Sequence, residues 1–461
     1  MSTILHIAII GAGASGTITA INLLKKLQQP ASIFLIEKRN EALYRGAAYS
    51  SQLDYEPLNV YAGRMSLYND NHDDFYNWIL ANKKSSGEIT QESFVSRRWY
   101  GEYLEANLKA AADKRQKEVS FAIIPTATIN ITKAAEGNYL LQQEDEKIIE
   151  ADFVILATGN EKPADVISKE AILVLGENYI SNPWNENPME NISIDESVLL
   201  IGTGLTMVDH VVSFKKRNHS AKVFALSRNG LLPRPHKHSP VYKIEKEITS
   251  ENIEQLNANI VEEIEKAKSQ NLDWRSVIEA LRPVTTKIWQ ALSDESKNIF
   301  LNKYRIYWDI HRHRMPPASH NEINEMVSQN KFEILKGTIT EVIKTESAFQ
   351  IYYKDATILN SVTVNRIINC TGPSGDYEKC DNPLFKNLLA KGWIKKDKHN
   401  IGIATGAAGE LIQANGNVLE NAFAVGPLRK AMEWESTAIR EIRTQAEQVA
   451  DKVVSLVNVR A

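Results

Sequence analysis

Two glycine-rich turns, Gly11-Ala12-Gly13-Ala14-Ser15-Gly16 and Gly202-Thr203-Gly204-Leu205-Thr206-Met207, constrain this chain more than any other feature, because each follows an apolar run and precedes a helical one. A strand that turns sharply into a helix needs residues without a Cβ. The same glycines let a pyrophosphate approach the backbone and rest on the helix N-terminus, where free N–H groups and the helix dipole favour an anion. One such fingerprint is weak evidence. Two in matching contexts point to two dinucleotides on one protein, a flavin and a nicotinamide.

In the first copy a strand over residues 7–10 leads into the glycines, and a helical apolar face over 18–24 ends at Lys25 and Lys26. A second strand over 33–36 ends in Glu37, roughly twenty residues past Gly16, where a carboxylate can accept hydrogen bonds from ribose hydroxyls. These pieces complete a βαβ unit, so Gly11, Gly13, Ala14, Ser15, Gly16 and Glu37 are assigned to FAD. In the second copy the strand covers 197–201, but Met207 stands where the third glycine belongs, which asks for a wider gap between helix and strand. The next strand, 222–226, ends in Ser227-Arg228 instead of a carboxylate. That ending suits a 2′-phosphate. Gly202, Gly204, Leu205, Thr206, Ser227 and Arg228 are therefore read as an NADPH site, with NADPH preferred over NADH.

A coarser repeat accompanies the fingerprints. Strand-like runs at 119–124, 126–132 and 139–143 precede an apolar run that closes on Thr158-Gly159, and runs at 332–335, 338–343 and 349–353 precede one that closes on Thr371-Gly372. Recurrence at matching places argues for an α/β fold with two Rossmann-like dinucleotide-binding domains, and it adds Thr158 and Gly159 to the FAD site.

The 461 residues leave room for two or three domains. A net charge of -3 gives no reason to expect a nucleic-acid partner. The uncharged stretch 7–24 is long enough to be mistaken for a membrane span, but its glycines, threonines and asparagine mark the dinucleotide turn instead. With no other candidate span or targeting segment, a cytoplasmic protein without membrane partners is expected. Only two cysteines exist, Cys370 and Cys380, and they form no CxxC or CxxxxC pair. Neither a dithiol–disulfide reductase nor a structural disulfide in a reducing compartment is expected.

Residues 242–329 carry helical periodicity at Ile248, Ile253, Leu256, Ile260 and Ile264, and again at Trp274, Ile278 and Leu281, so they read as a helical insertion able to cap a substrate pocket. Two dense basic stretches flank it, Arg234-Pro235-His236-Lys237-His238 and His311-Arg312-His313-Arg314. Their HxH spacings come without an acidic or cysteine cluster, and the neighbouring arginines repel a cation; no metal is expected. Three roles stay open for these stretches: phosphate contact, a pocket for an anionic substrate, or a solvated basic face. His236, Arg312 and Arg314 are the pocket candidates here, and Arg97 and Tyr100, which open an amphipathic helix, are two more.

Further motifs run through nearly the whole chain: Gly46-Ala47-Ala48-Tyr49, Leu58-Asn59-Val60, Met65-Ser66, Tyr100-Gly101-Glu102-Tyr103, Asn182-Pro183-Trp184, Asn369-Cys370-Thr371-Gly372-Pro373, Gly426-Pro427-Leu428-Arg429 and Trp434-Glu435-Ser436-Thr437-Ala438. Together with the fingerprints they resemble a bacterial family of FAD/NAD(P)-binding proteins that includes flavin-dependent urate hydroxylases, distantly related to flavin-containing and N-hydroxylating monooxygenases. The resemblance implies an FAD domain made from both chain ends, 1–185 and 373–461. An NADPH domain, 186–372, would lie between them with the helical insertion at about 240–330. It also implies that Asn59, Met65 and Ser66 follow the ribose segment onto the flavin side, and that Gly426, Glu435, Ser436 and Thr437 complete the FAD site. The chain's own pattern agrees at its end, where a strand over 422–425 meets Gly426 and a helix with the apolar face Ile439, Ile442, Ala446, Val449, Val453 and Val457 follows possible caps at Ser436 and Thr437. Residues 176–184 resemble a segment of Baeyer–Villiger enzymes, but Val174 and Ile180 replace its Phe and His, so that activity is not expected.

The reaction expected from the resemblance is monooxygenation of a small polar substrate, anionic or nitrogen-containing, with NADPH reducing the flavin and dioxygen carried as a C4a-(hydro)peroxide. Catalytic side chains are not identified, which suits chemistry that resides in the cofactor. Two alternatives remain: an FAD-dependent NADPH reductase or oxidase without oxygen transfer, and a non-catalytic FAD-binding protein.

Overall fold

A computed structural model describes residues 4–84, 87–134, 137–185 and 189–460. Uninterrupted apolar runs are the signature of strands buried on both faces, and two parallel sheets are built from them. With strands numbered along the chain, the first sheet contains β1 (Leu5–Ile10), β2 (Ala31–Ile36), β3 (Val119–Ile124), β7 (Phe153–Leu156), β16 (Glu410–Ile412) and β17 (Val418–Ala424). Their order is β16-β17-β7-β1-β2-β3, and β16 alone runs antiparallel. Between β3 and β7 the chain forms a three-stranded antiparallel sheet, β4 (Thr128–Lys133), β5 (Tyr139–Gln143) and β6 (Ile148–Ala151).

The second sheet repeats the plan. It contains β8 (Tyr179–Ile180), β9 (Val198–Ile201), β10 (Val223–Ser227), β11 (Phe332–Lys336) and β15 (Arg366–Asn369) in the order β11-β10-β9-β15-β8, all parallel. Its antiparallel companion is β12 (Thr338–Lys344), β13 (Phe349–Asp355) and β14 (Ile358–Val364). The third strand of each companion sheet, β6 and β14, and the short β8 and β16 have no counterpart in the sequence reading.

Two compact units result: Met1–Asn160 with Thr285–Ala291 and Gly375–Ala461, and Glu161–Val284 with Leu292–Ser374. The first crossing therefore falls after residue 160 and not after 185. The reason is β8, whose Tyr179 and Ile180 pair with Ile367 and Ile368 of the second sheet, while Leu175 packs with Leu199 and Ile201. A second departure lies in the insertion. Its helices Ile253–Ser269, Trp274–Leu281, Arg305–Arg312 and Pro317–Ser328 belong to the second unit, but Thr285–Ala291 belongs to the first. There Trp289 Nε1 donates to the Ala431 carbonyl (2.9 Å), Thr286 Oγ1 donates to that of Glu433 (3.1 Å), and the Trp289 and Trp434 rings lie 5.0 Å apart.

Strand alternation sorts the first unit's core onto two faces. Ile7, Ile9, Ile33 and Leu35 face the helices Ala14–Lys26, Arg97–Asp113 and Ile439–Arg460, while Ala8, Ile10 and Ile36 face β4, β5 and the helix Pro383–Ala390. The last helix buries the expected stripe, Ile439, Ile442, Ala446, Val449, Val453 and Val457. Burying each Ile or Val contributes about 1.5–3 kcal/mol. The helix begins at Ile439, with the Ala438 carbonyl taking its first bond from Ile442, so Ser436 and Thr437 stand outside it and are not its caps.

One charged residue breaks that stripe. Arg443 is buried, and its guanidinium reaches the Ser66 carbonyl (2.8 Å), Asn69 Oδ1 (3.0 Å) and His72 Nδ1 (3.2 Å), tying the last helix to residues 66–72. Arg443→Met leaves the Ser66 carbonyl dry. It is expected to cost about 2–3 kcal/mol of unfolding free energy in denaturant titration. A loss under about 0.5 kcal/mol would show that the clamp is idle.

Candidate functional site

The first fingerprint folds as a backbone contact. A Cβ on Gly11, whose φ is +101°, would stand 2.4 Å from the Ala157 carbonyl oxygen, and one on Gly16 would stand 1.9 Å from that of Gly11. Only glycine fits either place. The helix Ala14–Lys26 starts here, its first bond being Thr17 N–H to Gly13 O at 2.9 Å, so the N–H groups of Ala14, Ser15 and Gly16 belong to the unpaired first turn. Gly13 lies against Gly46, whose Cα is 3.2 Å from where a Gly13 Cβ would be.

Around this turn the structure gathers several of the expected FAD residues. Glu37 follows β2, and its carboxylate accepts from the Ala12 N–H (3.3 Å) and from Arg39 (3.1 Å). Gly426 follows β17, with Ser15 Oγ 2.4 Å from its missing Cβ, so the C-terminal segment touches the fingerprint directly. Thr158 Oγ1 and Ser436 Oγ are buried with no hydrogen-bond partner, and no atom lies within 4 Å of where a Gly159 Cβ would be. A cradle of bare backbone, a carboxylate at the second strand end and two dry hydroxyls fit a dinucleotide such as FAD.

Other expected residues are used internally. Met65 is a core side chain. The Ser66 hydroxyl donates to the Asn71 carbonyl (2.6 Å) and accepts from the Tyr68 N–H (3.1 Å). Tyr100 is 0% exposed, packed 4.7 Å from the Tyr49 ring and 5.0 Å from Phe75, and burial pushes its hydroxyl well above its ordinary pKa. Tyr100 thus packs among core rings, while its hydroxyl, like those of Thr158 and Ser436, is buried without a hydrogen-bond partner. Arg97 Nε donates to the Pro57 carbonyl (2.9 Å), Asn59 is half-buried, Glu435 is buried and Thr437 is exposed.

The sequence reading missed a polar chain that fixes the Gly426 segment. Gly426 N–H donates to Gln445 Oε1 (2.7 Å), Gln445 Nε2 donates to Glu433 (2.6 Å), Glu433 pairs with Arg429, and Arg429 Nη2 donates to the Ala407 carbonyl (2.8 Å). Arg429 is 1% exposed; burial pulls its pKa down, opposed by Glu433. A hint was available: Gln445 lies on the inner side of the last helix, next to Ala446.

The second cradle copies the first at its tightest point. A Cβ on Gly202, φ +110°, would stand 2.4 Å from the Cys370 carbonyl oxygen. At the third position the copies differ, since Met207 is fully buried among Val198, Leu200 and Phe214. Gly204 caps the helix Leu205–Lys216 and has open space around its missing Cβ; Leu205 and Thr206 are half-buried in its first turn. The Ser227 hydroxyl lies 2.9 Å from Thr203 Oγ1 and accepts from the Gly230 N–H (3.0 Å), whereas Arg228 is exposed at the end of β10. His210 is buried one turn on, and burial pulls it down to about 4, so it is neutral at pH 7. Burial raises the Cys370 thiol well above its ordinary pKa, and Cys380 Sγ is bonded to the Tyr377 carbonyl (3.1 Å).

Within the second unit the two basic stretches meet. Arg234 N–H donates to the Ile310 carbonyl (2.8 Å), Met315 N–H to that of Arg234 (3.0 Å), and His236 N–H to that of Met315 (2.9 Å). Arg312 and Arg314 are only 9% and 3% exposed, and Arg314 pairs with Glu279. A solvated face is thereby ruled out for those two residues, while Arg234 is exposed and His236 half-buried.

Residues 8–161, which contain the first cradle, match the model of a family described as FAD-NAD(P)-binding. No curated protein matches the sequence. Among solved structures, the reduced form of ornithine hydroxylase from Pseudomonas aeruginosa is 14% identical, with 98% of this chain and 99% of that one covered at a TM-score of 0.65. Ornithine N-hydroxylase from Kutzneria sp. 744, solved with reduced FAD, NADP+ and L-ornithine, is 13% identical over 99% of this chain and 100% of that one, at 0.64. Bacillithiol disulfide reductase from Staphylococcus aureus is 13% identical over 99% of each chain, at 0.56. These likenesses are of fold. Among the described residues, no helix is long and apolar enough to cross a membrane.

Gly13 gives a test of the first cradle, since its backbone is unstrained and a side chain there would fill the approach to the turn, with Gly46 having to give by a few tenths of an ångström. Gly13→Val is expected to yield folded protein that has lost copurifying flavin, measured by absorbance near 450 nm, roughly the flavin band, against protein concentration. Full flavin content in the variant would remove Gly13 from the site.

Proposed function

We propose that this chain is an NADPH-dependent FAD monooxygenase that hydroxylates a small polar substrate, anionic or nitrogen-containing. The observation that carries the reading is the pair of cradles, each a glycine turn pressed against the carbonyl that ends a neighbouring strand. The family match over 8–161 supports FAD at the first, and Ser227-Arg228 in place of a carboxylate supports NADPH at the second. The likeness to two ornithine hydroxylases, one of them solved with FAD and NADP+, favours oxygen transfer to a nitrogen-containing substrate.

FAD, when bound, supplies hydride acceptance and oxygen activation. The chain's own residues bind and orient. The first-turn N–H groups of Ala14, Ser15 and Gly16 receive the FAD pyrophosphate, Glu37 holds its ribose, and Thr158 and Ser436 offer hydroxyls that have no protein partner. The Gln445–Glu433–Arg429 chain positions Gly426 against Ser15. At the second cradle, Gly202 and Gly204 admit the coenzyme backbone and Arg228 provides a cation for the 2′-phosphate. Cytoplasmic residence and dioxygen as co-substrate belong to the same reading.

The structural likeness to a disulfide reductase supports a second reading, NADPH oxidation without oxygen transfer. Stoichiometry separates the two. With amine and amino-acid substrates in air, the monooxygenase reading requires one hydroxylated product per NADPH consumed, and quantitative hydrogen peroxide with every substrate would sink it. Coenzyme choice is tested at Arg228: Arg228→Ala is expected to weaken NADPH by about 1.5–3 kcal/mol and leave NADH nearly unchanged. Equal losses for both coenzymes would assign Arg228 another role.

A further inference from the structure

Among the described residues, Trp434 is the one buried side chain other than glycine whose backbone has a positive φ. Its φ is +62° and its ψ -56°, and the Glu435 N–H donates to the Glu433 carbonyl at 2.7 Å. That is a three-residue γ-turn of the rare, disfavoured hand. A bulky residue adopts it only where the surroundings over-determine it. Asn218, Asn271 and Ala356, which also have positive φ, are by contrast exposed at turns.

The surroundings that hold Trp434 come largely from one helix. Lys430–Glu433 is a helix of only 4 residues, too short to sustain itself, and its last carbonyls have no acceptor role within it. The helix Thr285–Ala291 supplies the donors: Trp289 Nε1 to the Ala431 carbonyl (2.9 Å), Gln290 Nε2 to that of Met432 (3.3 Å) and Thr286 Oγ1 to that of Glu433 (3.1 Å). Positions 286, 289 and 290 share one helix face, so three consecutive carbonyls are bonded from one side. The Trp434 ring is fixed too, 5.0 Å from the Trp289 ring and 4.9 Å from the Lys430 ammonium.

The turn is joined to the first cradle through its own residues. The Glu433 carboxylate accepts from Gln445, which in turn holds Gly426 against Ser15. Directly after the turn, Glu435 and Ser436 are 5% and 0% exposed, and Ser436 Oγ has no hydrogen-bond partner. A hydroxyl buried dry is costly unless a ligand meets it. We infer that Thr286, Trp289 and Gln290 are positioning residues for FAD: they hold the disfavoured turn at Trp434 and thereby present the Ser436 hydroxyl to the bound dinucleotide. The inference rests on the proposed function for the identity of that ligand.

The test is fluorescence titration of full-length apoprotein with FAD, together with amide hydrogen exchange at Glu435, whose N–H closes the turn. Thr286→Val keeps the shape and loses the donor; Trp289→Phe keeps an aromatic ring and loses the N–H. Each is expected to raise the FAD dissociation constant about three- to tenfold and to speed exchange at Glu435, with Thr286→Ser restoring wild-type values. Ser436→Ala is expected to weaken FAD as well. Combined with Thr286→Val it should add no further loss, because both remove one contact, whereas general damage to the fold would add. Should Trp289→Phe not fold, the Thr286 series decides. Unchanged FAD affinity in Thr286→Val, or additive losses in the double variant, overturns the inference. Wild-type apoprotein that takes up no FAD sinks the proposed function instead, and exchange at Glu435 then decides the clamp by itself: equal rates in Thr286→Val and wild type overturn it.

Discussion

The Ala157 carbonyl oxygen lies 2.4 Å from where a Gly11 Cβ would be, and the Cys370 carbonyl lies at the same distance from that of Gly202. Each contact joins the end of one parallel strand to the turn after its neighbour, and the rest of each unit is arranged around it. In the first sheet β1 stands between β7 and β2, so the chain leaves in opposite directions on its two sides. Such a place opens a crevice at the strand ends, and the helix N-terminus points its free N–H groups there. A side chain at either glycine would push the helix off the sheet and fill the crevice at once. Stability and ligand space therefore depend on the same missing atom.

Much of this was legible because it is local. A strand, a glycine turn, a helix and Glu37 follow one another in the sequence with fixed spacing, and the stripe from Ile439 to Val457 has the helical period that its burial requires. Two strands of each antiparallel companion sheet were legible as runs for the same reason, but not their pairing, and the third strands gave no apolar run. What escaped depends on pairs that sequence spacing does not encode. Gln445 acts on Gly426 and Glu433, and Arg443 on Ser66; nothing in a window around either residue says which backbone group awaits it. Likewise β8 is two residues long, too short to show a period, yet it moves the first crossing of the chain from 185 to 160.

The basic stretches show how composition misleads. A run such as His311-Arg312-His313-Arg314 has the look of a solvated surface, because charge is costly to bury. Arg314 is nonetheless inside, paired with a carboxylate 35 positions away on the helix Trp274–Leu281, while Arg234 in the matching stretch stays outside. The backbone ladder between Arg234 and Met315 decides which side chains turn inward, and that ladder is a tertiary feature. Tyr100 gives the converse case. Its place on an amphipathic helix suggested a pocket, but neighbouring rings from residues as distant as Tyr49 and Phe75 close over it.

The pairing of β17 with β7 bears on how the molecule is made. Asn421 donates to the Asp152 carbonyl across 269 residues of chain, and the last helix covers the helix Ala14–Lys26. During synthesis β7 therefore has an open edge, and the first helix an uncovered apolar face, until the final segment leaves the ribosome. The strands of the second sheet all lie between residues 179 and 369, so that sheet can close first while the older half waits. An open parallel edge is a template for mispairing, and long-range strand partners slow folding. The interval between synthesis of residue 156 and residue 424 is thus the period in which this chain most needs protection from its own kind.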